Sequence, residues 1–239
     1  MRKLVLLAAL MSISITNAQN WNGKKIKGNG VQTTITRTTE SYDEISAGGS
    51  FKVELVAGKE GTITISGDEN IINHIVTEVK GSTLQIGFEK NKSYSYHSNI
   101  VITVPFEEIR AVSFAGSGEI KTKDTITANN FEANLTGSGD GDITVNTKNL
   151  TTSLTGSGDL KISGTTDEFE AKVAGSGDLS CTKLIAQNAD VSVAGSGDLN
   201  VNCTNKLKAS VAGSGNIHYK SKPATIDSKV SGSGDITSY

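Results

Sequence analysis

A Gly-Ser-Gly tripeptide returns seven times along the second half of this chain, and its spacing limits the possible folds more than any other feature. The copies begin at Gly116, Gly137, Gly156, Gly175, Gly195, Gly213 and Gly232, so the steps are 21, 19, 19, 20, 18 and 19 residues. One polar residue follows each copy: Glu119, Asp140, Asp159, Asp178, Asp198, Asn216 and Asp235. A near-constant step of this length marks a stack of like units in which each contacts its neighbours.

Counting from the first Gly as zero, even offsets are apolar or small and odd offsets are polar or small. Offset −2 holds Phe114, Leu135, Leu154, Val173, Val193, Val211 and Val230; offset +4 holds Ile120, Gly141, Leu160, Leu179, Leu199, Ile217 and Ile236. A period of two predicts strand with the even positions inward, and two glycines per repeat exclude helix. A step of 18–21 residues is too short for a propeller blade and suits one coil of a parallel solenoid. The expected fold is therefore all-β, a single-domain parallel β-helix of about 19 residues per coil. Like side chains then stack about 4.8 Å apart. Both glycines fall on inward positions, which predicts a pinch or bend there with positive φ. Ala/Thr (−1), Ser (+1) and Asp (+3) form three outward ladders.

The N-terminus reads as an export signal. Arg2 and Lys3 precede the apolar Leu4–Met11, and Thr16-Asn17-Ala18 offers a cleavage site before Gln19. That apolar stretch is too short to span a bilayer, and no later stretch is long enough. No Cys follows the cleavage point, which argues against a lipid anchor. Export leads to the periplasm, the outer surface or the medium. Loss of the two signal-peptide cations takes the formal charge from −2 to −2 − 2 = −4. With no basic run, that balance excludes a nucleic-acid partner.

In chain order, residues 19–30 read as a loose leader and 31–239 as the β-helix, with 31–110 irregular and 111–239 regular. Strands are expected at 31–38, 42–47, 50–57 and 61–66. Asp68 can cap a helical turn over 69–73, and 74–80 with 83–89 read as a hairpin about Gly81-Ser82. Residues 90–99 form a loop, followed by a strand at 99–104 that Pro105 ends. The segment from Ile45 to Val53 reads as a worn copy of the repeat, and the irregular part as an N-terminal cap. Cys181 (+6) and Cys203 (+8) have inward parity but lie roughly 8 Å apart at ideal spacing, beyond an unstrained disulfide. Two buried thiols are expected, unless a slip in the shortened 18-residue coil brings them together. The last coil has no obvious cap, and self-association through the solenoid ends is expected from its open strand edges.

Several stretches resemble the bacterial family called putative auto-transporter adhesin, head GIN domain, a domain of unknown function. They are Tyr42-Asp43-Glu44-Ile45-Ser46 leading into Phe51-Lys52-Val53-Glu54-Leu55, then Gly67-Asp68-Glu69-Asn70, Gly81-Ser82-Thr83-Leu84-Gln85-Ile86, and the serial Gly-Ser-Gly-Asp. The resemblance runs from about Thr36 to the C-terminus. It implies a right-handed parallel β-helix, similar in outline to pectate-lyase-like folds, with an adhesive role. It carries no catalytic residue over to this chain.

The Asp ladder is the sharpest candidate site. Carboxylates stacked about 5 Å apart repel by roughly 0.8 kcal/mol per neighbour pair even in water. Backbone N–H groups at the bend can relieve this; so can a cation such as calcium, although the motif only partly matches calcium-binding repeats. A lyase or hydrolase needs clustered carboxylates with a strong base or an Arg, and the mature chain offers only Arg37 and Arg110, outside any motif. His74, His97 and His218 are scattered, without metal-ligand spacing. The candidate binding stripe is Ser138, Asp140, Ser157, Asp159, Ser176, Asp178, Ser196 and Asp198, with no cofactor. Tyr94 and Tyr96 form a second candidate contact, able to stack on a sugar or to cover the solenoid's end. The function expected is a non-catalytic binding or adhesion module for polysaccharide or another envelope protein. A lyase-like enzyme and a calcium-stabilised scaffold are the alternatives.

Overall fold

The structure, a computed structural model, describes residues 25–96 and 99–238. It is a β-solenoid of about seven turns with ~19-residue spacing. Successive coils pair in parallel and keep one register along the strand that enters each Gly-Ser-Gly, with shifts elsewhere at Lys161/Ser163 and Ala186/Asn188. Phe114, Leu135, Leu154, Val173, Val193, Val211 and Val230 lie each beside the next, as do the first glycines of the seven copies. At offsets from −6 to −2 and at +4, the even-offset side chains fill the core through the sixth copy, Arg110 excepted. Val173, Leu199 and Ile217, for instance, are at most 2% exposed. In the last coil Ile226 and Val230 keep inward positions yet are 43% and 44% exposed, because no described coil covers them. Arg110 departs from the parity. It sits at offset −6 but is exposed, Ile109 taking the buried place just before the strand Ala111–Gly116, and its guanidinium pairs with Glu44 at 2.8 Å.

The glycine ladders are explained by the coil next door. The first glycine of each copy has φ between +113° and +141°. A Cβ there would lie 2.1–2.5 Å from the carbonyl oxygen of the matching glycine one coil back. The second glycine has no such φ. From the second copy on, its Cβ would still meet the previous second glycine's oxygen at 1.9–2.5 Å. Side chains are thus excluded by close approach of two backbones. The carbonyl of Gly137 accepts two bonds from the next coil, from the Ser157 N–H (2.8 Å) and the Gly158 N–H (3.1 Å), and later copies repeat this.

The segment at 45–53 is a true coil: Glu44–Gly49 pairs in parallel with Ala111–Gly116, placing Gly49 beside Gly116. Lys52–Ala57 and Val101–Phe106 are also parallel neighbours. The antiparallel pairings Gln32–Thr38 with Thr62–Asp68, and the hairpin Ile75–Lys80 with Thr83–Phe88, close this end. The expected helical turn is Glu69–Ile72, but Asp68 does not cap it through its side chain. Its carboxylate instead accepts a 2.6 Å bond from Gln32.

Three expectations are corrected. Pro105 lies inside the strand Val101–Phe106, opposite Val56, rather than ending it. The antiparallel neighbour Thr62–Asp68 pairs only as far as Thr103, so the missing N–H of Pro105 breaks no bond on that edge. Lys25–Lys27, in the stretch read as a loose leader, pairs with Ser93–Ser95 from the stretch read as a loop. The slip in the 18-residue coil is real but has the opposite effect. It puts Cys203 beside Ala186, five residues past Cys181, and both thiols are free and buried.

Candidate binding surfaces

The predicted stripe forms one edge of the solenoid. Ser138, Ser157, Ser176 and Ser196 are all exposed; Asp140, Asp159 and Asp178 are exposed and Asp198 is half-buried. Each carboxylate has a structural task in the coil that follows. The Asp140 Oδ1 accepts from the Asp159 N–H (3.4 Å), Asp159 from Asp178 (3.3 Å), Asp178 from Asp198 (2.9 Å), and Asp198 from Asn216 (2.9 Å). Asn216 Oδ1 accepts in turn from the Asp235 N–H at 3.1 Å. Repulsion along the column is thus offset by one amide dipole per step, and the donor comes from the neighbouring coil rather than from the aspartate's own turn. No group of three or more His, Cys, Asp or Glu among the described residues is arranged to hold a metal ion.

The two tyrosines share a face, both rings lying against Phe88. Tyr96 reaches the start of the stripe, where its hydroxyl lies 2.8 Å from the Ser50 Oγ; Ser50 is the serine of the first, worn copy. Burial raises the Tyr96 pKa and the Ser50 bond partly opposes this. Beside it, a hollow of about 320 Å³ is lined by Lys52, Asn99, Ser117, Glu119 and Asp140, among others. Lys52 bridges Glu54 (3.3 Å) and Glu119 (3.4 Å). Desolvation lowers the Lys52 pKa, but hydrogen bonds and charge from those carboxylates outweigh it and raise it. Tyr94 lies against the same Phe88 as Tyr96, stacked at 4.5 Å where the Tyr96 ring is tilted at 6.0 Å, and has His74 at 5.5 Å. Both rings are therefore packed against the solenoid's end.

The larger concavities are elsewhere. A groove of about 620 Å³ runs along the solenoid axis across four coils. One rim carries Thr127, Asn146, Thr165 and Ile185; the other carries Asn129, Lys148, Asp167 and Gln187. The floor includes Thr147 and Thr166, whose hydroxyls bond at 3.0 Å. The rims are braced by Thr165 on Asn146 (2.8 Å) and Gln187 on Asp167 (2.6 Å). A second trough of about 370 Å³ lies alongside, with Asn149, Glu168 and Asn188 on one wall and Thr151, Glu170 and Asp190 on the other. Offsets −8 and −7 both face outward, as in Lys148-Asn149 and Asp167-Glu168, so the coil turns a corner there. That doubled polar pair was readable in the repeat alignment, and sequence reasoning missed the grooves it creates.

Neither arginine converges on these grooves. Arg37 donates to the carbonyl oxygens of Ile75 and Ile72, bracing the short helix, and Arg110 bonds Glu44 and Ser82. His74 sits 3.1 Å from Glu89, and His218 3.0 Å from the Thr237 hydroxyl. His97 and the stretch read as an export signal lie outside the described residues.

The family model described as putative auto-transporter adhesin, head GIN domain, matches residues 41–223. The chain belongs to this family. A solved putative adhesin from Bacteroides fragilis NCTC 9343 superposes with a TM-score of 0.84 at 25% identity, over 90% of this chain and 100% of that one. A putative lipid binding protein from Parabacteroides distasonis ATCC 8503 gives 0.75 at 30% identity, over 90% and 100%. A putative adhesin from the same strain shares the fold, with a TM-score of 0.68 at 21% identity over 90% and 100%. No curated protein matches the chain. Family and neighbours together support a surface binding or adhesion module.

Proposed function

We propose that this chain is an exported, non-catalytic adhesion module that holds a linear, uncharged polysaccharide in the 620 Å³ axial groove. The observation behind this reading is the repetition of hydrogen-bonding side chains on both rims through three coils, and on one rim of the fourth, where Ile185 takes the other. Sites set at about 4.8 Å intervals reward a partner that is itself a repeating chain, because each engaged unit raises the effective concentration of the next. Glu108, Lys148 and Asp167 give the groove mixed charge, which favours hydroxyl-rich over ionic ligands. Exposed Ile185 adds one apolar contact for a sugar face. The carboxylates of the serine–aspartate stripe already serve the neighbouring coil. A lyase would need a charge-stabilising Arg beside its base, whereas both arginines brace the N-terminal part. The lipid-binding name of one neighbour would call for an apolar lining, and these rims are polar except for Ile185.

A glycan array with the mature protein tests the reading. Binding should be lost in an Asn146→Ala, Lys148→Ala, Gln187→Ala variant. It should persist when Asp159, Asp178 and Asp198 are replaced by Asn, which keeps the inter-coil acceptor. Binding lost only in the Asn variant would move the site to the stripe, and binding lost only in Tyr96→Ala to the hollow beside it. Binding to lipid vesicles but to no glycan would overturn the proposal.

A further inference from the structure

The strand Thr225–Gly232 is the outermost of the solenoid. Among the described residues it pairs with Cys203–Gly213 along one edge, and all eight of its residues are exposed. It carries Ile226 and Val230, two of the five large apolar side chains exposed among the described residues. N–H groups at odd offsets point back to the previous coil, as Glu132 does to Arg110 (2.9 Å) and Ser233 to Gly213 (2.8 Å). By alternation Ile226, Ser228 and Val230 turn their N–H and C=O groups to the open edge. We propose that this edge pairs with the same edge of a second copy of the chain, antiparallel about a two-fold axis through Ser228.

The strand is self-complementary about that residue and no other nearby. Centred on Ser228, Ile226 faces Val230 of the second copy on the core side, and Asp227 faces Lys229 on the solvent side. All three open-edge residues then meet open-edge residues, so each pair can exchange both backbone bonds. A centre one residue earlier sets Asp227 against itself, and one residue later sets Lys229 against itself. Like charges directly opposed are destabilising. Shifts by two residues remove the Asp–Lys pair. The charge pattern also continues one already present: Lys208 bonds Asp190 at 2.8 Å, and Asp227 lies beside Lys208. Lys229 of the second copy would extend this alternating column. The partner shields Ile226 and Val230, and a two-fold contact of this kind closes on itself without forming filaments.

This inference is independent of the ligand in the groove. Sedimentation of the mature chain up to roughly 100 μM should show a dimer. Asp227→Lys alone and Lys229→Asp alone should each weaken it by at least about tenfold, with circular dichroism unchanged. Mixing the two variants should restore a dimer, now a heterodimer, and the double variant D227K/K229D should dimerise by itself. A strict monomer overturns the proposal. So do single variants that associate as tightly as the parent, or a mixture that stays monomeric.

Discussion

Replacing Gly158 by Ala tests the account of the glycine ladder at its most sensitive point. Gly158 has no left-handed φ, so alanine meets no intrinsic backbone penalty there. The new methyl carbon would lie 1.9 Å from the Gly139 oxygen and 3.0 Å from its carbon and nitrogen. An ordinary carbon–oxygen contact needs more than 1 Å of additional space. Opening the step between these coils by that amount breaks the bonds from Ser157 N–H (2.8 Å) and Gly158 N–H (3.1 Å) to Gly137 and from Gly141 N–H to Asp159 (2.8 Å). Three backbone bonds at about 1 kcal/mol each, with some lost packing, predict a destabilisation of about 3–5 kcal/mol. Gly234 offers the internal comparison. Its added methyl would meet the Gly215 oxygen at the same 1.9 Å, but the outermost coil can lift away at little cost. Urea unfolding followed by far-ultraviolet circular dichroism reads both. A Gly158→Ala protein within about 1 kcal/mol of the parent, or no worse than Gly234→Ala, would refute the close-approach argument.

Two further perturbations have defined outcomes. Asp178→Ala leaves the Asp198 N–H without its 2.9 Å acceptor and should cost about 1–2 kcal/mol in urea unfolding. Asp178→Asn should cost much less, since Asn216 already plays this part for Asp235. Burial pushes the Cys181 thiol well above its ordinary pKa. In the unfolded chain the thiol ionises near its ordinary value, so the folded state binds more protons above that pH. The Cys181 contribution is complete below about pH 8.5 and should fall by about 1.4 kcal/mol per pH unit above it. Cys181→Ala removes that share of the slope and leaves that of Cys203, whose thiol is likewise pushed up by burial. Unfolding curves between pH 8 and 10 measure it.

The repeating half of the fold could be read from residues because two signals agreed there: period-two alternation along the chain and a fixed step between copies. What escaped the reading was whatever depends on contacts between coils or at a corner. Asp140 and its successors were recognisable as a ladder, but their partner is the amide of the following coil, which no local motif encodes. The axial grooves arise where two consecutive side chains face outward, as at Lys148-Asn149, and a strict alternation rule passes over such a pair. The shortened coil was visible as a count of residues, but the count does not say which corner absorbs the deletion; that corner set the fate of Cys203. Ser93–Ser95 gave no strand signal because its partner, Lys25–Lys27, is distant in sequence. Tyr94 and Tyr96 share a face against Phe88, yet only Tyr96 reaches Ser50 with its hydroxyl.

The unvarying Gly-Ser-Gly corner makes the coil a natural unit of length. Removing residues 157–175 would join Gly156 directly to Ser176, leaving an intact Gly-Ser-Gly-Asp with every ladder in phase. Each such excision shortens the molecule by about 4.8 Å and takes one rung from the groove, while duplicating a segment adds one. A lineage built on this plan can tune its reach toward a polymer of any size in whole steps, by copying or dropping short stretches of gene, without redesigning its interior.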